Sequence, residues 1–151
     1  MKNLIKIIAS FFYLGYVPFA PGTAGSLGAL VIYLFCRKSL FLHTVVLLGV
    51  CVVGFLVCGP AEKIFGRKDS PRIVIDEVAG LLLAYWGLEL DLLLIVLGFI
   101  LFRVLDAAKV YPVNKLEKLK GAWGVMGDDL CAGLYTNIAL QIATRFFPIW
   151  F

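Results

Sequence analysis

Apolar residues run along this chain in blocks, and the charges fall at the seams between them. The clearest block is Ser39 to Ala61, where no position carries a charge. A membrane-crossing helix needs about 20 predominantly apolar residues, so this block predicts one full-length span. Residues 1–14 put Lys2, Lys6, Ser10 and Tyr13 at helical spacing among Leu4, Ile5, Ile8, Phe11 and Phe12, the pattern of a helix lying in the membrane interface. Pro18 and Pro21 forbid an ordinary helix across Gly15–Ser26. A second helix is expected from Thr23 or Ser26 to Cys36, closed by a turn at Arg37-Lys38-Ser39. After a loop over Glu62–Arg72, Ser70-Pro71 has the form of an N-cap followed by proline at the first helical position, predicting a helix over 72–88. Glu89 and Asp91 mark a turn, 92–109 returns, and the loop 110–127 holds Pro112 and Gly121. Gly127-Asp128 then begins a last helix ending near residue 146. The expected fold is all-α: one domain over residues 1–151, a small polytopic membrane bundle with an N-terminal interfacial helix and about five membrane-embedded helices.

Composition supports the bilayer as part of the solvent. The chain is 62% hydrophobic and 16% charged, with mean hydropathy +0.96, whereas a soluble domain is about 45–50% apolar and about 25% charged. The net charge of +4 suits contact with anionic lipid headgroups. Nucleic acid is not an expected partner, because the basic residues sit in short loops between apolar runs. Cys36, Cys51, Cys58 and Cys131 lie in apolar stretches with no CxxC pair, as small packing residues do. His43 stands alone in an apolar run and is expected at the interface rather than on a metal. The N-terminal segment lacks a clean apolar stretch, and Pro21 would follow any cut after Ala20, so no signal cleavage is expected. The sequence leaves the oligomeric state open.

Alternating crossings place residues 1–23, 61–76 and 103–129 on one side. That side then carries Lys2, Lys6, Lys63, Arg67, Lys68, Arg72, Arg103, Lys109, Lys115, Lys118 and Lys120, leaving only Arg37, Lys38 and Arg145 elsewhere. The excess predicts that this is the cytoplasmic side. Most acids share it, and Asp76, Glu77, Asp106, Asp128 and Asp129 fall at predicted helix ends. Acids at or within a membrane are expensive, and a functional role is the default hypothesis for them. Carboxylates from several helices, with no His or Cys beside them in sequence, suit a hard cation such as Mg²⁺. Their structural alternative is salt bridging with Arg72, Arg103 and Lys109.

Two other segments bear on phosphate. Arg103, Asp106 and Lys109 share one helix face by spacing, so a carboxylate can hold a metal while the flanking cations grip phosphate oxygens. The run Pro21-Gly22-Thr23-Ala24-Gly25-Ser26 leads into a helix. There small residues let backbone N–H groups approach an anion, and the Thr23 and Ser26 hydroxyls add donors. It is not a Walker A loop, since no Gly-Lys-Ser/Thr follows; a capped turn entering a helix would look the same.

Four ordered segments, Ala20–Ser26, Ile75–Gly80, Phe102–Lys109 and Gly127–Gly133, together resemble the motifs of phosphatidylglycerophosphatase A. The resemblance runs from about residue 15 to residue 140. It implies a bacterial inner-membrane, Mg²⁺-dependent phosphatase that converts phosphatidylglycerophosphate to phosphatidylglycerol, working at the cytoplasmic face. It implies catalytic roles for Asp76, Glu77, Arg103, Asp106, Lys109, Asp128 and Asp129, with the five acids as metal ligands. Gly22, Thr23, Ser26, Arg103 and Lys109 would hold phosphate. The chain departs from the family at Lys109-Val110-Tyr111-Pro112, where Val110 stands in place of the usual proline. Water attack in line and an aspartyl-phosphate intermediate both remain open.

Three other functions fit parts of the pattern. A CDP-alcohol phosphotransferase would carry an Asp-Gly-x-x-Ala-Arg signature, which is not found here. A small cation transporter would hold its acids near the midplane, often between repeats, and no repeat is seen. A structural membrane subunit explains the apolar helices but not the four charged segments.

Overall fold

We describe residues 2–108, 111, 119 and 121–146 of a computed structural model. Among them are six α-helices, one 3-10 turn and no strand: α1 Lys2–Ala9, the 3-10 turn Leu14–Tyr16, α2 Pro21–Cys36, α3 Leu40–Phe65, α4 Ile75–Ala84, α5 Leu92–Ala108 and α6 Ala122–Phe146.

The N-terminal helix stops earlier than its spacing predicts, and the reason is local. Phe11, Phe12 and Tyr13 all take left-handed backbone, with φ of 43°, 56° and 69°. That conformation is disfavoured for L-residues by roughly 1–2 kcal/mol each. Ser10, expected on a polar face, is instead buried. Its hydroxyl accepts from the Tyr13 amide at 3.2 Å, and its carbonyl accepts from the Gly15 amide at 3.0 Å. Gly15 in turn lies against the Arg72 carbonyl so closely that a side chain there would overlap it.

Helix α2 starts at Pro21, where proline's missing N–H and fixed φ suit the first helical position. Helix α3 has Ser39 as its cap, the hydroxyl accepting from the Leu42 amide at 3.3 Å. It runs through Pro60 to Phe65, and Gly66 at φ 68° ends it.

Three predicted helix starts move: α2 begins at Pro21, ahead of the expected Thr23 or Ser26, and α4 and α6 shift as well. Ser70-Pro71 is a turn rather than a helix start: the Ile73 amide donates to the Ser70 carbonyl at 2.8 Å, and the Val74 amide donates to Ala9 at 2.9 Å. Helix α4 therefore begins at Ile75 and ends at Ala84, shorter at both ends than the expected 72–88. Helix α6 begins at Ala122 rather than Gly127, which moves Asp128 and Asp129 from a helix N-terminus into its second turn. Helix α5 starts as expected, with Asp91 accepting from the Leu94 amide at 2.8 Å.

The short helix α4 is the axis of the bundle, packed against α6, α2 and α3. Val78, Leu81, Leu82 and Tyr85 from this region are fully buried with Tyr33 and Phe102. Its early end leaves backbone carbonyls inside the protein, and several of them meet side chains. His43 Nε2 lies 3.0 Å from the Leu82 carbonyl. Asn137 donates to Ala84 at 3.1 Å and Trp86 at 2.9 Å. The Tyr33 hydroxyl donates to Leu88 and accepts from the Leu90 amide, both at 3.0 Å. Arg37 donates to Leu90 at 3.2 Å. His43 is thus a buried, backbone-bonded residue.

The outside is apolar as well. Leu27, Val31 and Phe35 of α2, Phe41, Leu48 and Leu56 of α3, Leu92, Ile100 and Val104 of α5, and Leu134, Ile138 and Ile142 of α6 are all exposed. Among the described residues, only α3, with 26 residues, is both long and apolar enough to cross a membrane by itself. The expectation of about five embedded helices is narrowed to that one clear span. The four cysteines are free, as expected.

Candidate active site

The site is built on a crossing of two glycines. Gly133 of α6 sits on the Gly80 carbonyl of α4, so closely that any side chain would overlap that backbone. A Cβ on Gly80 would come 2.7 Å from the Asp129 carbonyl and 2.8 Å from the Phe102 ring. Residues four apart on a helix share a face. The same face of α4 carries Asp76 one turn before Gly80, and that of α6 carries Asp129 one turn before Gly133. The sequence thus holds two Asp-x-x-x-Gly segments, 76–80 and 129–133, and the glycine contact brings their aspartates into each other's field. In the sequence Gly80, one turn before Ala84, already has the small-residue spacing of close helix packing, whereas Gly133 carries no such mark. The repeated spacing was the signal that could have found it.

Asp76 and Asp129 are both 4% exposed, and Asp128 is 5% exposed. Asp76 accepts from the Glu77 amide at 3.0 Å, and Asp128 from the Asp129 amide at 3.2 Å. The carboxyls of Asp76 and Glu77 lie in each other's electrostatic field. Glu77 and Asp129 each interact electrostatically with Asp106 and Arg103. Adjacent carboxylates repel unless a positive species lies with them. The Glu77 Oε2 and Asp129 Oδ1 atoms are buried with no hydrogen-bond partner, a state that costs the desolvation of each atom.

Arg103 enters from α5. One of its nitrogens, Nη1, pairs with Asp106 Oδ2 at 2.9 Å. Its Nη2 is directed at α2, where a Cβ on Gly22 would meet it at 3.1 Å and would overlap the Glu77 carboxylate. A side chain at Gly22 would displace the Glu77 carboxylate and crowd the Arg103 guanidinium. Ala20 supplies no side-chain cap, and the first bond of the helix is from Ala24 to the Ala20 carbonyl at 3.2 Å. The Gly22 and Thr23 amides precede that bond, and a helix N-terminus of this kind favours negative charge. Ser26 is fully buried and donates to the Gly22 carbonyl at 3.0 Å; Thr23 is half-buried beside it.

The structure therefore brings Gly22, Asp76, Glu77, Arg103, Asp106 and Asp129 together from α2, α4, α5 and α6. Asp128 is buried next to Asp129. Lys109, Val110 and Pro112 lie outside the described residues. Among the described residues, no three Asp, Glu, His or Cys side chains are already gathered tightly enough to ligate one ion.

Comparison with known proteins gives a consistent result. The family described as phosphatidylglycerophosphatase A matches residues 7–144. A Bacteroides thetaiotaomicron protein, named provisionally as a phosphatidylinositol-3-phosphatase, is 36% identical over 91% of this chain and 91% of its own length. The phosphatidylglycerophosphatase A of Escherichia coli is 33% identical over 99% of this chain and 88% of its own. That of Haemophilus influenzae is 30% identical over 93% and 88%. No solved structure matches this chain. With a family match over most of its length and relatives aligned nearly end to end, this chain belongs to the phosphatidylglycerophosphatase A family.

Proposed function

We propose that this protein hydrolyses the terminal phosphate of phosphatidylglycerophosphate, giving phosphatidylglycerol and phosphate, with Mg²⁺ as cofactor. The observation that carries the reading is the gathering of Asp76, Glu77, Asp106 and Asp129 around Arg103, beside the amides that open α2. The names of two relatives point the same way.

The donor set fits a hard divalent cation. It is all carboxylate oxygen, and Glu77 Oε2 and Asp129 Oδ1 are buried without a donor. Asp76, Glu77, Asp106, Asp128 and Asp129 would hold the ion. When bound, Mg²⁺ supplies the positive charge that stabilises phosphate oxygens and the leaving alkoxide. The remaining work falls to the chain. Arg103, oriented by Asp106, presents a planar fork to two non-bridging oxygens. The Gly22 and Thr23 amides donate to the same group, and the missing Gly22 side chain lets Glu77 and Arg103 close on the start of α2. Ser26 holds the first turn of α2 through the Gly22 carbonyl. Lys109, six residues beyond Arg103, is assigned to phosphate as well. A carboxylate free of the cation accepts a proton from the attacking water; labelled acyl-phosphate recovered after rapid quench would instead make it the nucleophile.

The reading places the protein in the bacterial inner membrane as a multi-pass bundle with this site at the cytoplasmic face. Support comes from the apolar exterior of α2, α5 and α6 and from the basic residues near the site end. Helices of 16 and 17 residues, such as α2 and α5, span about 24–26 Å. They stay below headgroup level in a core of about 30 Å.

The test is phosphate release by purified protein from phosphatidylglycerophosphate, phosphatidylinositol 3-phosphate and a deacylated phosphomonoester. Release from the first in Mg²⁺ and its arrest by EDTA are expected. Preference for the inositol lipid would move the substrate, and activity undiminished by EDTA would remove the cation. Arg103→Lys should lose about a hundredfold in turnover, because a point charge does not replace the fork. A folded Arg103→Lys protein with full turnover would remove the phosphate-gripping role.

A further inference from the structure

Helices α4 and α6 lie side by side and run in the same direction, with one register along their shared face. Residues 76–81 and 129–134 both read Asp-x-x-Ala-Gly-Leu. Asp76 lies in the field of Asp129, Gly80 lies on Gly133, and one turn further the Ala84 carbonyl meets Asn137. Partners are 53 residues apart in sequence at all three levels. The two faces differ at the third level. There α4 has Ala84, and α6 has a polar residue that is only 4% exposed.

Asn137 uses both ends of its amide. The nitrogen donates to the Ala84 carbonyl at 3.1 Å and to the Trp86 carbonyl at 2.9 Å, and the oxygen accepts from Gln141 at 2.7 Å. Hydrogen bonds tolerate only a narrow range of distance and angle. Two of them, from one planar amide to two carbonyls, hold the end of α4 in both position and direction. The glycine crossing sets only how near the helices come. It also sits midway. Asp76 and Ala84 are each four residues from Gly80, about 6 Å along the axis. A rigid ten-residue helix rocking on that crossing would move its two ends equally and in opposite directions.

We infer that Asn137 is a positioning residue of the site. Its amide clamps the far end of α4 to α6 and so sets where Asp76 and Glu77 lie against Asp129. The inference rests on the proposed phosphatase function. His43 supplies the comparison: its Nε2 meets the Leu82 carbonyl at the same end of α4, but it comes from α3, which carries none of the site residues.

Asn137→Leu keeps the size and loses both donors, and Asn137→Asp keeps the shape and turns an acceptor toward the two carbonyls. In each, kcat for phosphatidylglycerophosphate should fall about a hundredfold, the cost of displacing catalytic groups by about 1 Å, with little change in KM. The dissociation constant for Mn²⁺, read spectroscopically without substrate as a stand-in for Mg²⁺, should rise about tenfold, as when a group supporting metal ligands is lost. Gln141→Leu frees the Asn137 amide to turn and should shift both values the same way by a smaller factor. His43→Leu should lower the melting temperature and leave kcat and Mn²⁺ binding as in wild type. The inference is overturned if folded Asn137→Leu keeps either value at wild type. It is equally overturned if His43→Leu shows either loss, since Asn137 would then be one stabilising bond among several. Should neither Asn137 variant fold, Gln141→Leu decides, and unchanged values there overturn the inference. Wild type inert toward phosphomonoester lipids would sink the proposed function instead, and the Mn²⁺ constants would still decide the part of Asn137.

Discussion

Asp129→Asn is expected to lower turnover by about a thousandfold and to leave the folded protein as stable as wild type or more so. The two effects have one cause. Asp129 is 4% exposed, its Oδ1 has no hydrogen-bond partner, and it shares a field with Glu77, Asp106 and Asp128. A buried charge among like charges is a liability for folding, and an isosteric amide removes the charge while keeping the shape. The same replacement deletes an anionic oxygen from the proposed cation site, and loss of preorganised electrostatic groups commonly costs 10²–10³ in rate. Thermal melting beside phosphate release checks both signs together. A variant that melts well below wild type would show Asp129 to be structural. Full turnover in a folded variant would remove it from the site.

Gly133→Ala should damage the protein in the opposite sense, losing both stability and activity. The added methyl would overlap the Gly80 carbonyl, and that neighbour is backbone, which cannot swing aside as a side chain can. Overpacking of this kind costs typically about 1–3 kcal/mol and sometimes more. The helices must separate at the crossing that sets Asp76 beside Asp129. A shift of about 1 Å in catalytic groups is enough to lose about a hundredfold in rate. Melting temperature and kcat, measured with Ala132→Gly as a neighbouring control, decide the matter. Gly133→Ala with wild-type melting and turnover would show that the crossing has slack and does not position the acids.

How far these features could be read in the sequence differs by kind. Ionised residues stand out in an apolar chain, so Asp76, Glu77, Arg103, Asp106, Asp128 and Asp129 were all visible. The Ser39 to Ala61 run announced α3 for the same reason. Helix starts were harder. Ser70-Pro71 has the local chemistry of a cap, yet the Val74 amide bonds to Ala9, a partner distant in sequence that no local pattern contains. Gly121, Gly124 and Gly127 look like loop residues, yet α6 runs through the last two because its packing against α4 outweighs their weak helix propensity. The left-handed turn at Phe11–Tyr13 was invisible, since none of those residues favours it. His43 could not be placed from its neighbours in sequence, because its partner, the Leu82 carbonyl, exists only where α4 is about to end.

That early end has a consequence for biogenesis. Helix α4 has ten residues and carries two acids in its first turn, so it is a poor candidate for membrane insertion alone. The carbonyls of Ala84 and Trp86 find their donor in Asn137, and Asp76 finds its place across the Gly80–Gly133 contact. Both partners lie on α6, the last helix described. In the proposed membrane setting, a nascent chain that has emerged only as far as α5 would hold these groups without partners, in a medium that supplies none. The central helix therefore settles only after the C-terminal one arrives, and chains truncated before Ala122 should be recognised as unassembled and degraded even though most of their apolar length is already made.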